Sequence, residues 1–188
     1  VCDGAAPHSE SCKAIDKATV MIWGDSFAMH LVPVLRAGGV SDDNIIQFTR
    51  PVCAPIRGLA IVNAKYPLDW AKKCTVFNDK ALSLIGASRT IRRVVMSSPM
   101  GILESAVYDA ETDRVLPPGR QTRILVEKRM KETAAHIRAA GAIPVFVSPP
   151  PRTGEDMSAC AVKARVFGTS EKGCRFDEAH QSDMNRAA

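Results

Sequence analysis

The sequence predicts an α/β fold, a three-layer α/β/α sandwich in which a mostly parallel sheet lies between two layers of helices. Short apolar runs alternate along the chain with segments of helical periodicity, and no repeat or low-complexity stretch interrupts that order. The 188 residues are 46% hydrophobic and 24% charged, enough to bury the core of one globular domain. We therefore expect residues 1–188 to form a single domain of this class.

Each predicted element has its own signal in the sequence. The apolar run 18–23 indicates the first strand, residues 26–36 have a helical pattern, and a second strand over 45–49 follows the Gly38-Gly39 break. Apolar residues spaced along 120–140, ended by Gly141, predict a long amphipathic helix. The other predicted elements are a loop over 51–67, a helix over 69–85, a strand over 92–96, a hairpin over 106–116, a strand over 143–147, a loop bounded by cysteines, and a short helix from about 177.

The carboxyl end of the sequence lacks one element that this fold class needs. A flavodoxin-like parallel sheet adds a fifth strand after the last helix, and none follows here. We expect the sheet to be truncated before its last strand and the sequence to be a fragment of a longer protein. No apolar run reaches the roughly 18 residues of a membrane span, and residues 1–18 lack the apolar core of a signal peptide. We expect any targeting segment to lie elsewhere in the full-length protein.

The charge pattern and the cysteines limit which kinds of partner and which cellular compartment are expected. The net charge of +5 is dispersed in singles and pairs and aromatic residues make up only 5%, which excludes a typical nucleic-acid-binding surface. No Cys-x-x-Cys occurs and the four histidines are scattered, so we expect no metal site, and no cofactor motif is present. Disulfides in an oxidising compartment are favoured over free thiols, with the connectivity left open, for Cys2, Cys12, Cys53, Cys74, Cys160 and Cys174.

The strongest candidate for chemistry is Ser26, at the predicted turn from the first strand into the first helix. Such a turn lies at the carboxyl edge of the sheet, where open α/β sheets bind ligands. Gly24 permits a tight turn, and Asp25 can cap the helix. The Ser26 hydroxyl is then expected at the helix N-terminus, where free N–H groups favour a developing oxyanion. An Asp- or Ser-capped helix with no catalytic role is the alternative interpretation.

The motif Trp23-Gly24-Asp25-Ser26 resembles the first sequence block of the SGNH (GDSL-like) hydrolases, in particular their polysaccharide O-acyltransferase branch. The resemblance implies that Ser26 is the nucleophile and that the domain is the periplasmic or extracellular part of a membrane acyltransferase. Relatives also carry one cysteine pair before the Gly-Asp-Ser strand and another after the second strand. That implies sequence-local disulfides, which here would join Cys2 to Cys12, Cys53 to Cys74 and Cys160 to Cys174.

The chain departs from the family pattern beyond this first block. Relatives commonly have histidine after the serine, where this chain has Phe27, with His30 one helical turn later. A glycine that helps bind the oxyanion after the third strand is replaced by Ser97 or Ser98, and the Gly-x-Asn-Asp block is absent. These departures put a complete hydrolase mechanism in question, since loss of one oxyanion donor lowers turnover by about a hundredfold or more.

A serine nucleophile also needs a general base. The one literal Asp-x-x-His in the sequence is Asp177 to His180, and residues three apart on a helix share a face. Because relatives have a Cys-x-Phe-Asp segment at this point, well before their catalytic histidine, a solvent-exposed helix face is the favoured alternative. The family's own base would then lie beyond residue 188.

Taken with the cysteines and the Ser26 turn, the resemblance implies an extracytoplasmic, membrane-tethered SGNH domain of an O-acyltransferase. The resemblance implies that it moves an acetyl or other acyl group to a cell-surface polysaccharide or glycolipid through an ester of Ser26. Two alternatives stay open: a stand-alone carbohydrate esterase, and a glycan-binding domain that has the fold without the catalytic base.

Overall fold

The computed structural model describes residues 17–149, 157–170 and 174. The chain divides into two compact units, Val1–Val147 and Ser148–Ala188. In the first unit the strands are β1 (Val20–Gly24), β2 (Ile45–Thr49), β3 (Leu59–Val62), β4 (Arg93–Ser97), β5 (Ala106–Asp109), β6 (Arg114–Leu116) and β7 (Ile143–Phe146), and the helices are α1 (Ser26–Met29), α2 (Val32–Ala37), α3 (Leu68–Ala87) and α4 (Arg120–Ala139). The second unit contains α5 (Met157–Val166).

The main sheet is parallel and has the order β2-β1-β4-β7. The β1 strand is central and wholly buried, which its continuous apolar sequence predicts. Gly24, the last residue of β1, lies between Thr49 of β2 and Ser97 of β4. Three strands therefore end side by side at one edge of the sheet, and the chain leaves β1 there.

Alternate side chains of β1 enter two cores on opposite faces of the sheet. Met21 and Trp23 pack in a cluster that includes Phe77 of α3. Ile22 packs in a second cluster with Ala28 of α1 and Val32 of α2. Helices thus flank the parallel sheet on both faces, and the predicted α/β sandwich is confirmed.

The first predicted helix is divided in two. The sequence pattern gave one helix over 26–36, whereas α1 ends at Met29 and α2 begins at Val32. Pro33, the second residue of α2, has no N–H to donate to the carbonyl of Met29. That missing donor explains why a continuous helix stops there.

A second sheet was not predicted as such. The expected hairpin is present as β5 and β6, but β3, inside the expected loop 51–67, pairs antiparallel with β5 to give the order β3-β5-β6. The β3 strand is stabilised by this pairing with a distant segment and by its buried residues Leu59 and Ala60. In the second unit, α5 occupies part of the expected cysteine-bounded loop, and the helix predicted from 177 lies outside the described residues.

A buried guanidinium joins the hairpin to α4. Arg129 forms ion pairs with Glu111, with Glu132 at 3.0 Å and with Asp109 at 3.6 Å. The hydrogen bond from Arg129 lowers the pKa of Glu111 from its ordinary value of 4.5. Because ionised Glu111 is the form that pairs with the guanidinium, this contact stabilises the fold most at neutral pH.

Two of the three expected local disulfides lie in the part of the chain that the structure describes. Cys53, in the loop after β2, is joined to Cys74 of α3, and Cys160 of α5 is joined to Cys174. Cys2 and Cys12 lie outside the described residues. Among the described helices, none is both long enough and apolar enough to cross a membrane.

Candidate active site

The turn after β1 depends on a glycine. Gly24 has a φ of +148°, and a Cβ placed on it would lie 2.2 Å from the backbone oxygen of Ser97 and 3.0 Å from the Cβ of Ala28. Only a residue without a side chain allows β1 and β4 to approach this closely while the chain turns into α1. The close approach fixes where the next two residues lie.

Asp25 is the buried anchor of the turn, with only 2% of its surface exposed. One carboxylate oxygen, Oδ1, accepts a hydrogen bond of 2.9 Å from the backbone N–H of Phe27 and so caps α1. The other, Oδ2, accepts a bond of 2.8 Å from the Ser98 hydroxyl. The Asp25 cap predicted from the sequence is therefore present, and it is tied to the end of the neighbouring strand.

Ser26 is exposed and is the first residue of α1. The two residues before it, Gly24 and Asp25, are buried, whereas Ser26 faces solvent. The Ser26 N–H donates no hydrogen bond within the described residues. The turn thus presents a hydroxyl and an unpaired backbone donor from the same residue, two of the groups that acyl transfer uses.

The two serines after β4 use their hydroxyls within the protein. Ser97 donates to the carbonyl of Val147 at 2.8 Å and Ser98 donates to Asp25, and both residues are 2% exposed. The sequence placed them at this edge, but it did not predict that Ser98 holds Asp25. No signal in the sequence gives that contact, because it joins residues 73 positions apart. The backbone N–H of Ser98 makes no hydrogen bond within the described part of the chain.

Asn63 and Asn78 both form their hydrogen bonds away from the turn. Asn78 is fully buried on α3, where it accepts from the Trp23 indole at 3.0 Å and donates to the carbonyls of Ala54 and Ile56. Asn63 accepts from the backbone in its own loop. Asn78 therefore supports β1 by fixing the Trp23 side chain, and neither Asn63 nor Asn78 supplies a donor to the turn.

Among the described residues, no hydrogen bond joins a candidate base to the Ser26 hydroxyl. His30 is exposed at the end of α1, and its ring centroid lies 6.5 Å from that of Phe27. Asp177 and His180 lie outside the described residues, so their assignment stays a prediction. The described part of the chain contains no group of three or more potential metal ligands.

Comparison with known families places this turn in context. The family model described as SGNH domain (fused to AT3 domains) matches residues 1–188. Comparisons with curated proteins and with solved structures found no similar protein. The match covers the whole chain and includes the Gly-Asp-Ser turn at the end of the central strand. The chain belongs to the family of SGNH domains that are fused to AT3 domains.

Proposed function

We propose that this domain transfers an acyl group, in the first instance acetyl, to a cell-surface polysaccharide or glycolipid, with Ser26 as the covalent carrier. The observation that supports this most directly is the Ser26 side chain, exposed at the carboxyl edge of the central strand while Gly24 and Asp25 are buried. The family points to the same class, because an SGNH domain fused to AT3 domains is associated with acyl transfer.

The proposed reaction has two steps. In the first, Ser26 Oγ attacks the acyl carbon of the donor, its proton passes to a base, and the donor's leaving group departs with a proton. In the second, a sugar hydroxyl attacks the serine ester, the acyl group moves to the sugar, and Ser26 recovers its proton. Water in place of the sugar hydroxyl makes the same site an esterase.

The tetrahedral oxyanion of each step requires donors. The unpaired N–H of Ser26 is the first, and the N–H of Ser98 is our candidate for the second, since its side chain already contacts Asp25 beside the turn. Backbone donors held by buried contacts need little reorganisation during the reaction, which is what makes such sites effective.

The fusion that the family model names supports a proposal for the acyl donor and for the location. An AT3 acyltransferase domain in the same full-length protein would supply the acyl group and tether this domain to a membrane. The disulfides are compatible with a periplasmic or extracellular position. We propose Asp177 and His180 as orienter and base only as the weaker candidates, after a histidine carried elsewhere in the full-length protein.

Covalent labelling tests the role of Ser26. A fluorophosphonate reagent is added to the full-length protein and to this chain, and labelled peptides are mapped by mass spectrometry. We expect a label on Ser26 that is lost in Ser26→Ala and kept in Ser83→Ala, a matched change of an exposed serine on α3. A full-length protein that is folded and stays unlabelled at Ser26 would overturn the proposal.

The same variants separate transfer from the alternatives. Hydrolysis of p-nitrophenyl acetate without any acceptor identifies an esterase, whereas faster release of p-nitrophenol on addition of polysaccharide, with acetyl found on the glycan, identifies a transferase. Glycan binding that is unchanged in Ser26→Ala, with no acyl transfer by the wild-type protein, identifies a binding domain and refutes the catalytic role.

A further inference from the structure

A concave surface on the outer side of α3 combines positive charge with an apolar floor. We call it the α3 groove; its volume is about 330 Å³. Phe77 and the half-exposed Val76 form its apolar part, and Phe77 is fixed by stacking on Phe48 with ring centroids 4.4 Å apart. The cations that line it are Arg50, Lys72, Lys73 and Lys80.

Cations outnumber acids in the α3 groove. Asp69 is the one carboxylate in the lining, and it pairs with Lys73 at 3.2 Å, while Lys72 pairs with Asp113 outside the groove at 2.9 Å. Arg50 and Lys80 have no ion pair with any residue that the structure describes. The groove therefore keeps a surplus of positive charge that is available to an anionic ligand.

Aromatic rings lie next to Arg50, at one end of the groove. The guanidinium of Arg50 lies 5.8 Å from the centre of the Trp70 ring, and Tyr66 packs on Trp70 with centroids 4.9 Å apart. Trp70 is half-buried, so part of its ring surface remains accessible. Rings of this kind present flat apolar surface to the C–H faces of sugars, while nearby cations bind their acidic groups.

One residue of the groove, Arg50, contacts the end of the strand that leads to the candidate nucleophile. Arg50 is the first residue after β2, and its backbone N–H donates a 3.0 Å hydrogen bond to the carbonyl of Gly24, two residues before Ser26. From this edge its Nη1 reaches the carbonyl of Lys73 on α3 at 3.4 Å. The α3 groove therefore shares one residue, Arg50, with the strand end that carries the Gly-Asp-Ser turn.

We infer that the α3 groove binds an anionic polysaccharide, one whose sugars carry carboxylate or phosphate groups, and that it is the acceptor subsite of transfer at Ser26. The second half of this inference rests on the proposed function. A membrane of anionic lipids would also be attracted to lysines, but it favours a flat or convex surface. A concave site with an apolar floor and flanking aromatic rings fits a chain of charged sugars better.

Binding is measured by isothermal titration calorimetry and by quenching of tryptophan fluorescence on this chain. The probes are a galacturonic acid hexamer, a sugar-phosphate oligomer, neutral maltohexaose, and vesicles of phosphatidylglycerol and phosphatidylcholine. Trp23 is fully buried and Trp70 is not, so quenching by a sugar reports on Trp70, which lies against Arg50 at one end of the groove. We expect both acidic oligomers to bind, with an affinity that falls as salt is raised, and the neutral hexamer to bind at least about tenfold more weakly.

Two triple variants with the same loss of charge test the groove itself. We expect the variant that loses cations of the groove to bind the acidic oligomers about tenfold more weakly than wild type. The variant that loses cations elsewhere should bind them with an affinity within about twofold of wild type. Melting temperatures and circular dichroism confirm that both are folded. The groove variant is Arg50→Gln, Lys73→Gln and Lys80→Gln, and the matched variant is Arg89→Gln, Lys131→Gln and Arg138→Gln, all three exposed and outside the groove.

Equal loss of binding in the two variants would overturn the inference, as would equal binding of the neutral and acidic hexamers. Groove-dependent binding to phosphatidylglycerol vesicles without binding to either acidic oligomer would replace the glycan by a membrane. The Ser26→Ala variant keeps the two proposals distinct, because it should bind the oligomers as wild type does and take no fluorophosphonate label. If the α3 groove does not bind the acidic oligomers, the labelling of Ser26 by fluorophosphonate is still expected.

Discussion

Replacing Gly24 by alanine tests how the turn positions Ser26. The added Cβ would lie 2.2 Å from the backbone oxygen of Ser97, whereas Cβ atoms in folded proteins essentially never approach such a neighbour closer than 3.0 Å. β1 and β4 must therefore separate locally by about 0.8 Å, and the φ of +148° adds strain for any residue with a side chain. We expect the overlap and the strain together to lower the free energy of unfolding by about 3 kcal/mol.

The same shift acts on the chemistry. A displacement of nearly 1 Å two residues before the nucleophile should slow fluorophosphonate labelling of Ser26 by about a hundredfold. Unfolding in urea gives the stability, and the labelling rate is measured where the variant is folded. Gly86→Ala is the matched control, because nothing lies within 4 Å of its added Cβ and alanine in α3 stabilises a helix by up to about 1 kcal/mol. A Gly24→Ala protein with wild-type stability and labelling rate would refute the reasoning.

Three further changes have defined outcomes. Replacing Cys53 and Cys74 together by serine should lower the free energy of unfolding by about 3 kcal/mol, because the bond closes a loop with a sequence separation of 21; an unchanged urea midpoint would contradict this. Ser98→Ala removes a hydrogen bond to the buried carboxylate of Asp25 and should cost about 2 kcal/mol in the same assay, together with slower labelling at the turn; wild-type stability would show that the bond contributes nothing. The Arg129 guanidinium lowers the pKa of Glu111, so the ion pair stabilises the fold at neutral pH and this stabilisation is lost as pH falls below 4.5 toward the lowered pKa. The free energy of unfolding should therefore decline less steeply over that pH range in Glu111→Gln than in the wild type.

Local sequence signals were sufficient for the main sheet. Continuous apolar strands and amphipathic helices predict β1, β2, β4 and β7 and the two long helices, with ends that agree within a few residues. The sequence predictions were wrong where pairing with a distant segment or a single backbone group determines the structure. β3 exists because β5 pairs with it, and the break between α1 and α2 follows from Pro33, whose missing N–H outweighs the helical pattern around it.

The candidate site was predictable in its position and not in its contacts. A glycine, a capping aspartate and a serine after an apolar strand predict the turn, and the structure has that turn with Ser26 exposed. The hydrogen bond from Ser98 to Asp25 depends on the alignment of β1 with β4, which no local pattern specifies. The cations of the α3 groove are likewise separated in sequence, and only the packing of the β2 loop on α3 brings Arg50 to the lysines.

The Cys53–Cys74 bond has a consequence for recognition as well as for stability. It joins the loop that begins with Arg50 to the helix that carries Lys73, so a covalent bond links the two sides of the α3 groove. Both sulfurs are buried, and a reductant reaches them only when this part of the domain opens. A ligand therefore meets walls whose spacing is already set, and little of its interaction energy is lost to ordering them.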